Sequence, residues 1–227
     1  MPLKRSWSTW KAKLFFGSLF FHRLIAKKTA NADICSCKAG FDNYNPRGIT
    51  LELMSREIYR YKIEGSCAEV GVYRGDFAKQ INYYFPDRKL YLFDTFEGFD
   101  KKDADIDRKK SFSSAVQDWS KTSEELVLSK MEHKENCIIK KGWFPDTAEG
   151  IDDKFCFVSL DPDLYQPTKA GLEFFYPRLV NGGVIMIHDF INKEYNGVRE
   201  AVKEFCVKNN TGYVLISDIM TSAVIVR

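Results

Sequence analysis

Residues 154–190 read KFCFVSLDPDLYQPTKAGLEFFYPRLVNGGVIMIHDF, and this stretch indicates the fold. Residues 154–161 form an apolar run of strand length. Residues 167–179 have helical spacing with a proline at the start, and residues 182–190 form a second apolar run entered through a glycine pair. Strands that are apolar on both faces are typical of a sheet covered on both sides. The stretch therefore predicts a strand, a helix and a second, parallel strand.

The same alternation continues outward through the chain after about residue 65. Further strands are predicted at 67–72, 89–96, 136–144, 212–217 and 222–227, and further helices at 75–85, 113–133 and 197–209. Residues 100–110 are almost wholly charged and have no apolar period, so we predict a mobile loop there, which is a candidate lid over the site.

This order of elements predicts an α/β domain. We expect a Rossmann-like, seven-stranded and mostly parallel sheet with helices on both faces. The last two strands have no helix between them, so they should form a C-terminal antiparallel hairpin. In such sheets ligands bind beyond the carboxyl ends of the strands, which makes the residues at strand ends the first candidates for function.

The composition excludes several classes of protein. The 227 residues suit one medium domain with a short appendage, and 44% apolar residues is a globular composition. A formal charge of +3 is too small to indicate a nucleic-acid partner. The six cysteines lack zinc-ligand spacing, so we expect reduced thiols and a cytoplasmic protein.

The N-terminal region differs from the rest. We predict a basic and apolar helical appendage over residues 1–45 and the main domain over 46–227. The apolar run Leu14–Ile25 is too short to cross a bilayer, and Arg23 argues against a cleaved signal peptide. Two interpretations stay open: a helix that packs on the domain or on a second subunit, and contact of residues 4–28 with a membrane surface.

Polar residues mark the ends of the first two strands. Gly71 and Gly75 follow the first strand, where glycine lets the backbone turn sharply and approach a ligand. Glu69 lies inside that strand, and a buried acid needs a partner such as a ligand amine. Asp94 ends the second strand at the distance typical of an acid that binds a ribose diol. Together they predict an adenosine-containing cofactor, although each alone also suits a plain turn or cap.

Two later strands end in candidate catalytic or metal-binding groups. Asp161 ends the run at 154–161, and His188-Asp189 ends the next one. Neighbouring strands lie about 4.8 Å apart, so these side chains can converge. They could hold Mg²⁺, which would grip two substrate oxygens, or His188 could act as a general base. The alternatives are that Asp161 caps a helix and that His188 is a buried neutral imidazole.

Six motifs occur in order over about residues 48–226: EVGVYRG, LFDTFEGF, KGWFPDT, LDPDLYQPT, YPRLVNGGVIMIHDF and GVREAV. As a set they resemble the macrocin O-methyltransferase (TylF-like) family, which includes the mycinamicin and novobiocin sugar methyltransferases. The resemblance implies a class I fold, S-adenosylmethionine as cofactor and usually Mg²⁺. It further implies methyl transfer to a hydroxyl of a sugar, in a small molecule or a glycan, by an enzyme that is often a homo-oligomer.

The resemblance also assigns residues by position. It places the methionine moiety of the cofactor against Glu69, Gly71, Tyr73, Arg74 and Gly75. It places the ribose against Asp94, Thr95 and Phe96, and the adenine against Gly142, Trp143 and Phe144. Asp161 matches the first metal aspartate and borders the cofactor.

The chain departs from the family where His188-Asp189 replaces two successive acids. Imidazole is a poorer partner for Mg²⁺ than a carboxylate is. Two arrangements therefore stay open. Either Asp161 and Asp189 bind a metal with His188 as a base or weak ligand, or the site is metal-free and His188 alone deprotonates the hydroxyl. Pro162 replaces a glycine and stiffens the turn, and we expect no metal role for Asp163.

Three other functions are the alternatives to this interpretation. A catechol-type O-methyltransferase acting on an aromatic diol would need an apolar slot, which Trp143, Phe144 and Phe190 could form. A nicotinamide oxidoreductase is disfavoured, because GxGxxG is absent. A non-catalytic partner subunit with a retained cofactor pocket is disfavoured by the acids at the strand ends. Acceptor contacts are expected from residues 99–125, from the N-terminal segment and from the region after Asp189.

Overall fold

A computed structural model of the chain describes residues 45–227. The helices of this part are α1 (Pro46–Arg60), α2 (Asp76–Tyr84), α3 (Lys101–Lys110), α4 (Glu124–Ser129), α5 (Tyr165–Phe175) and α6 (Asn196–Asn209). The strands are β1 (Ser66–Val70), β2 (Leu90–Asp94), β3 (Cys137–Lys141), β4 (Phe155–Leu160), β5 (Leu179–Ile187), β6 (Val214–Ile216) and β7 (Ser222–Val226).

The strands form one sheet in the order β3-β2-β1-β4-β5-β7-β6. Neighbours from β3 to β5 are parallel, whereas β7 runs antiparallel to both β5 and β6. The strand order reverses at β1, which pairs with β2 on one side and β4 on the other, and a reversal of this kind opens a crevice at the carboxyl edge. The predicted seven-stranded, mostly parallel sheet with a C-terminal antiparallel hairpin is confirmed.

Apolar side chains cover both faces of the sheet. Every residue of β1 and β4 is buried, as expected for central strands with helices on each side. Phe157 and Val158 are consecutive and therefore point to opposite faces, where Ile81 of α2 and Phe175 of α5 belong to their respective clusters. This double cover leaves the strand ends as the place where polar side chains can meet a ligand.

The prediction of a mobile loop over residues 100–110 is wrong, because α3 occupies that range. The Asp100 side chain caps the helix by accepting a hydrogen bond from Lys102 N at 2.8 Å. Asp103 and Asp107 lie on its buried face, and Asp107 accepts a hydrogen bond from Tyr165 N at the start of α5. Aspartates in place of apolar residues on that face hid the helical period.

The helix predicted over 113–133 is also too long. The structure has only α4 within that range, and residues 113–120 have no regular secondary structure. Ser123 caps α4 by accepting a hydrogen bond from Leu126 N at 3.1 Å. The irregular segment brings Gln117 and Trp119 to the carboxyl edge of the sheet.

The predicted appendage, including the proposed membrane contact of residues 4–28, lies outside the described residues except for Asn45. The Asn45 side chain caps α1 by accepting a hydrogen bond from Gly48 N, and Pro46 occupies the first turn of that helix. Among residues 45–227, no helix combines the length and the apolar character needed to cross a bilayer.

Candidate functional site

A cavity of about 550 Å³ opens at the carboxyl edge of the sheet. Its wall includes most of the residues predicted from the sequence: Glu69, Gly71, Tyr73, Arg74, Asp94, Thr95, Gly142, Trp143, Phe144, Asp161, His188 and Asp189. Two predicted cofactor residues, Gly75 and Phe96, are not part of this wall. Gly75 is the N-cap residue before α2 and has a left-handed conformation, and Phe96 is buried in the core.

Gly71 lets the turn after β1 pack against the end of β4. Its φ is +83°, and a Cβ at this position would lie 2.2 Å from the carbonyl oxygen of Asp161. No side chain fits at that distance, so glycine is required for close approach as well as for the backbone conformation. The turn and the end of β4 thereby form one continuous wall.

Asp94 anchors the loops at the carboxyl edge. Its Oδ2 accepts hydrogen bonds from Val72 N at 2.8 Å and Tyr73 N at 2.7 Å, and its Oδ1 accepts one from Phe96 N at 2.7 Å. A carboxylate has about four acceptor positions, so one stays for a ligand hydroxyl. The sequence left a ligand role and a turn-capping role open for Asp94, and the structure shows the capping hydrogen bonds.

Glu69 is buried beside the cavity, at 1% exposure. Its Oε1 accepts a hydrogen bond from Ser159 Oγ at 3.4 Å, while Oε2 has no hydrogen-bond partner within the described part of the chain. Burial raises the pKa of Glu69 well above its usual value, although Arg47 partly opposes this. A cationic ligand group would supply the missing partner.

Arg47 is the main residue that the sequence did not reveal. It lies on α1 at 9% exposure, where its Nη1 donates to Asp161 Oδ2 at 2.7 Å and its Nη2 donates to Ser159 Oγ at 3.1 Å. The guanidinium carbon lies 3.8 Å from the centre of the Phe77 ring, a cation–π contact. The Arg47–Asp161 pair joins residues 114 positions apart, which no local pattern could indicate.

Asp161, His188 and Asp189 converge as predicted. His188 Nδ1 lies 3.1 Å from Asp161 Oδ1 and 3.2 Å from Asp189 Oδ2, without hydrogen-bond geometry to either. Burial disfavours the charged form of the imidazole, but the contacts with the two aspartates outweigh this effect and raise the pKa of His188 to about 9. Burial opposes ionisation of Asp161 as well, yet Arg47 and His188 hold its pKa well below the usual value.

The cluster fits a divalent cation. One candidate ligand atom from each of Asp161, His188 and Asp189 lies within 4.8 Å of the others. Two ligands in adjacent positions, each about 2.1 Å from a metal, are about 3.0 Å apart, close to the observed nitrogen–oxygen distances. The buried Nδ1 also lacks a hydrogen-bond partner in residues 45–227. Asp161 can bind a metal ion and pair with Arg47 at the same time, because its Oδ1 faces His188 and its Oδ2 faces Arg47.

Asp163 lies next to this cluster but is not one of its three candidate ligands. Its φ is +62°, a left-handed conformation that aspartate tolerates better than most residues. Burial, together with Asp161 and Asp189, raises the pKa of Asp163 well above its usual value. A raised pKa favours the neutral form of the Asp163 carboxyl, and this form adds no negative charge beside the cluster.

Helix α3 holds the wall that the resemblance assigns to adenine. Trp143 Nε1 donates a hydrogen bond to Asp103 Oδ2 at 2.9 Å, and Lys102 Nζ lies 4.6 Å from the centre of the indole ring. Burial raises the pKa of Asp103 to about 6, partly offset by this hydrogen bond. The segment predicted as a mobile lid is thus fixed to Trp143, in the part of the wall that the resemblance assigns to adenine.

The wall of the cavity also carries polar atoms without partners among the described residues. Gln117 Oε1, Trp119 Nε1 and Tyr195 Oη are buried and make no hydrogen bond to any described residue. The indole N–H lies beside the Tyr195 hydroxyl and the Asp163 carboxyl, but not in hydrogen-bond geometry. Buried polar groups are normally satisfied, so this group of atoms points to a ligand with several hydroxyls or carbonyls. All three residues lie in segments from which acceptor contacts were expected, residues 99–125 and the region after Asp189, although the sequence singled out none of them.

A family model described as macrocin O-methyltransferase (TylF) matches residues 46–227. The chain is 27% identical over 155 residues to an enzyme of Streptomyces olivaceus named 8-demethyl-8-(2,3-dimethoxy-alpha-L-rhamnosyl)-tetracenomycin-C 4'-O-methyltransferase, which covers 63% of this chain and 58% of that protein. It is 28% identical over 157 residues to mycinamicin III 3''-O-methyltransferase of Micromonospora griseorubida, at 63% and 61% coverage. The chain thus matches about three-fifths of the length of these curated relatives.

Two solved structures share the fold. The O-methyltransferase NovP superposes with a TM-score of 0.64 at 21% identity, covering 80% of this chain and 79% of that one. The calicheamicin methyltransferase CalS11 superposes with a TM-score of 0.64 at 20% identity, covering 79% and 78%. At this identity the likeness supports the Rossmann-like methyltransferase fold alone.

Proposed function

The chain belongs to the TylF family of macrocin O-methyltransferases, and from this premise we propose that it transfers a methyl group from S-adenosylmethionine to a sugar hydroxyl. The observation that carries the proposal is that one cavity is lined by two kinds of residue. The glycine turn after β1 and Trp143 line it together with Gln117, Trp119 and Tyr195, whose buried polar atoms lack partners in the described part of the chain. The cluster at Asp161 contributes to the same wall.

The charge of the cavity supports a sulfonium cofactor. Nine acidic side chains line the wall against three basic ones, Arg47, Arg74 and His188. An acidic wall attracts a cationic sulfonium and repels the pyrophosphate of a dinucleotide. Two O-methyltransferases with the same fold were solved in complex with S-adenosylhomocysteine and with S-adenosylmethionine. These facts favour S-adenosylmethionine over a nicotinamide cofactor.

The unpartnered atoms of Gln117, Trp119 and Tyr195 support a polyhydroxylated substrate. A sugar can donate hydrogen bonds to Gln117 Oε1 and accept them from Trp119 Nε1, and its apolar face can lie on the indole ring. An aromatic diol would instead need an apolar slot. Phe190, one of three residues expected to form that slot, is buried in the core at 2% exposure and packs against Tyr213. The catechol-type alternative is therefore not favoured, and neither is a non-catalytic partner subunit.

Metal assistance is part of the proposal. Asp161, Asp189 and His188 would hold a divalent cation, which when bound supplies Lewis-acid activation of the acceptor hydroxyl. In the absence of a cation, His188 is protonated at neutral pH because its pKa is raised to about 9. It cannot then accept the hydroxyl proton until a proton leaves it. Asp161 and Asp189 hold the imidazole in place in either case.

The closing test of the function is a transfer assay. We expect the purified protein, supplied with methyl-deuterated S-adenosylmethionine, to label a nucleotide sugar or glycoside on a hydroxyl oxygen, read by mass spectrometry. Labelling of catechols with no labelling of any sugar would overturn the acceptor assignment. Activity that persists in EDTA and rises with pH towards 9 would favour the metal-free arrangement, in which neutral His188 is the base.

Two conservative variants test the proposed acceptor contacts of Trp119 and Tyr195. Trp119→Phe removes the indole N–H and Tyr195→Phe removes the hydroxyl, while each keeps an aromatic ring. We expect each to raise the KM for the sugar about 10-fold and to leave binding of S-adenosylhomocysteine within 2-fold. Tyr213→Phe is the control, because Tyr213 is outside the cavity wall. Equal losses in all three variants would place the acceptor elsewhere.

The last part of the proposal concerns self-association of the chain, its location in the cell and its contact with a membrane surface. We propose a cytoplasmic homo-oligomer, supported by exposed apolar side chains around β6, where Leu215 is 48% and Ile219 84% exposed. Light scattering of the purified chain would test the oligomer, with a monomer as the contradicting result. Co-sedimentation with anionic vesicles would test membrane contact of residues 4–28.

A further inference from the structure

We propose that Arg47 binds the α-carboxylate of the cofactor's methionine moiety, and that Arg47 and Glu69 together form a receptor for its zwitterionic amino-acid end. This inference rests on the proposed use of S-adenosylmethionine. It adds a cofactor-binding residue on α1, outside the strand-end motifs that carry the resemblance.

The first step is the pairing of opposite charges at one place in the wall. Arg47 and Glu69 both line the cavity and both reach Ser159, to which Arg47 Nη2 donates and which donates to Glu69 Oε1. An α-amino acid carries an ammonium and a carboxylate on one carbon. A buried acid and a buried guanidinium linked through a single hydroxyl match that pair of charges.

The second step is the number of donors that Arg47 has left. A guanidinium has five N–H groups, and the structure uses one for Asp161 and one for Ser159. Nε is buried and donates to no group in the described residues, while Glu69 Oε2 lacks a partner in the same way. Each side of the receptor therefore keeps an unsatisfied polar atom, and leaving such atoms unpaired is costly.

The third step excludes the other cations of the wall. A carboxylate entering this acidic cavity needs a positive partner, and the basic residues of the wall are Arg47, Arg74 and His188. Arg74 is exposed to solvent, and His188 already lies between Asp161 and Asp189. Arg47 is buried and held in place by the Phe77 ring, so it loses little conformational entropy when it binds an anion.

The test compares two ligands that differ only in the carboxylate. The probes are S-adenosylmethionine and decarboxylated S-adenosylmethionine, titrated by calorimetry into the full-length protein without acceptor. We expect the wild-type protein to prefer S-adenosylmethionine by about 10- to 100-fold, the usual value of a charge-assisted hydrogen bond. We expect Arg47→Met to remove this preference and Arg47→Lys to keep part of it.

Two further variants give the controls. Glu69→Gln should weaken both ligands and keep their ratio, because both carry the ammonium group. Arg88→Met should change neither affinity, since Arg88 is as buried as Arg47, is paired with Glu64 and lies outside the cavity wall.

The outcomes separate the inference from the function on which it rests. An unchanged preference in Arg47→Met, or equal affinities of the wild-type protein for both ligands, would overturn the inference alone. Failure of the wild-type protein to bind either ligand would overturn the cofactor assignment and the inference with it.

Discussion

The loop after β2 and the cluster after β4 and β5 both hold an aspartate at the carboxyl edge, but they satisfy it differently. Asp94 accepts hydrogen bonds from three backbone N–H groups of the neighbouring loops. Asp161 is paired with two cationic side chains, Arg47 and His188, one of which comes from a distant helix. Neutral backbone donors hold the loop in a fixed position. In the charged cluster, by contrast, the removal of one side chain leaves another buried charge without its partner.

The comparison predicts different sensitivities for the two regions. Backbone donors that lose their acceptor can turn to water at the rim, so the loss at Asp94 should be limited. A buried charge that loses its partner cannot bind water instead, because the folded protein excludes water from it. The variants below order the effects from the largest to the smallest.

The largest effect is expected at Asp161. Asp161→Ala leaves Arg47 and His188 without their shared counter-ion, so the free energy of unfolding in EDTA should fall by about 3–5 kcal/mol in urea denaturation. The double variant Arg47→Met/Asp161→Leu removes both charges and should lose less than Asp161→Ala does. A double variant less stable than the single one would show that the charge pair is not the source of the loss.

The next effect is expected at Gly71, which joins the two regions. Gly71→Ala combines a left-handed backbone with a Cβ 2.2 Å from the Asp161 carbonyl oxygen, so we expect a loss of about 3 kcal/mol in unfolding free energy. Gly150→Ala is the matched control, because its φ is +76° but no atom lies within 4 Å of the added Cβ. Backbone strain alone should make it lose about 1 kcal/mol. Equal losses would mean that the close approach contributes nothing.

Asp103 accepts a hydrogen bond from the Trp143 indole and has no backbone N–H donor and no ion pair among the described residues. Removing its charge should therefore raise the free energy of unfolding. The pKa of Asp103 is raised to about 6, above an unfolded value of about 3.9, so its contribution to stability is present below pH 4, is lost as pH rises to 6 and stays lost above. Asp103→Asn should therefore stabilise the protein by up to about 3 kcal/mol at pH 7.5 and leave it unchanged at pH 4.

The control for this prediction lies on the same helix. Asp105 is exposed and paired with Arg108, so thermal or urea unfolding of Asp105→Asn should differ from wild type by less than about 0.5 kcal/mol at either pH. An Asp103→Asn protein that is less stable than wild type at pH 7.5 would show that the ionised carboxyl is needed by Trp143.

The smallest effect is expected at Asp94. Asn at this position keeps one oxygen acceptor, so at least one of the three backbone N–H groups loses its partner, at a cost of about 1 kcal/mol. Asp100→Asn is the control, because Asp100 caps α3 with a single hydrogen bond that asparagine can also accept. Urea denaturation that ranks Asp100→Asn below Asp94→Asn would contradict the anchoring role of Asp94.

Sequence patterns predicted the parts of the site that lie at strand ends. The apolar strands, the glycine turn after β1 and the acids that follow β2, β4 and β5 all have short-range signals, and the structure brings them into one cavity. The loop prediction over 100–110 was wrong because Asp103 and Asp107 replace apolar residues on the buried face of α3. These aspartates can be buried because Trp143 donates a hydrogen bond to Asp103 and Tyr165 N, at the start of α5, donates one to Asp107.

The amino-acid sequence by itself determined the order of elements, the parallel sheet and the chemical types of the strand-end residues, because periodicity and turn chemistry are local properties. The tertiary structure decided which of these residues meet. It brought Arg47 from α1 to Asp161, and it placed Trp119 and Tyr195 beside Asp163. Contacts across 114 residues depend on how helices pack on the sheet, and that packing leaves no local signal in the chain.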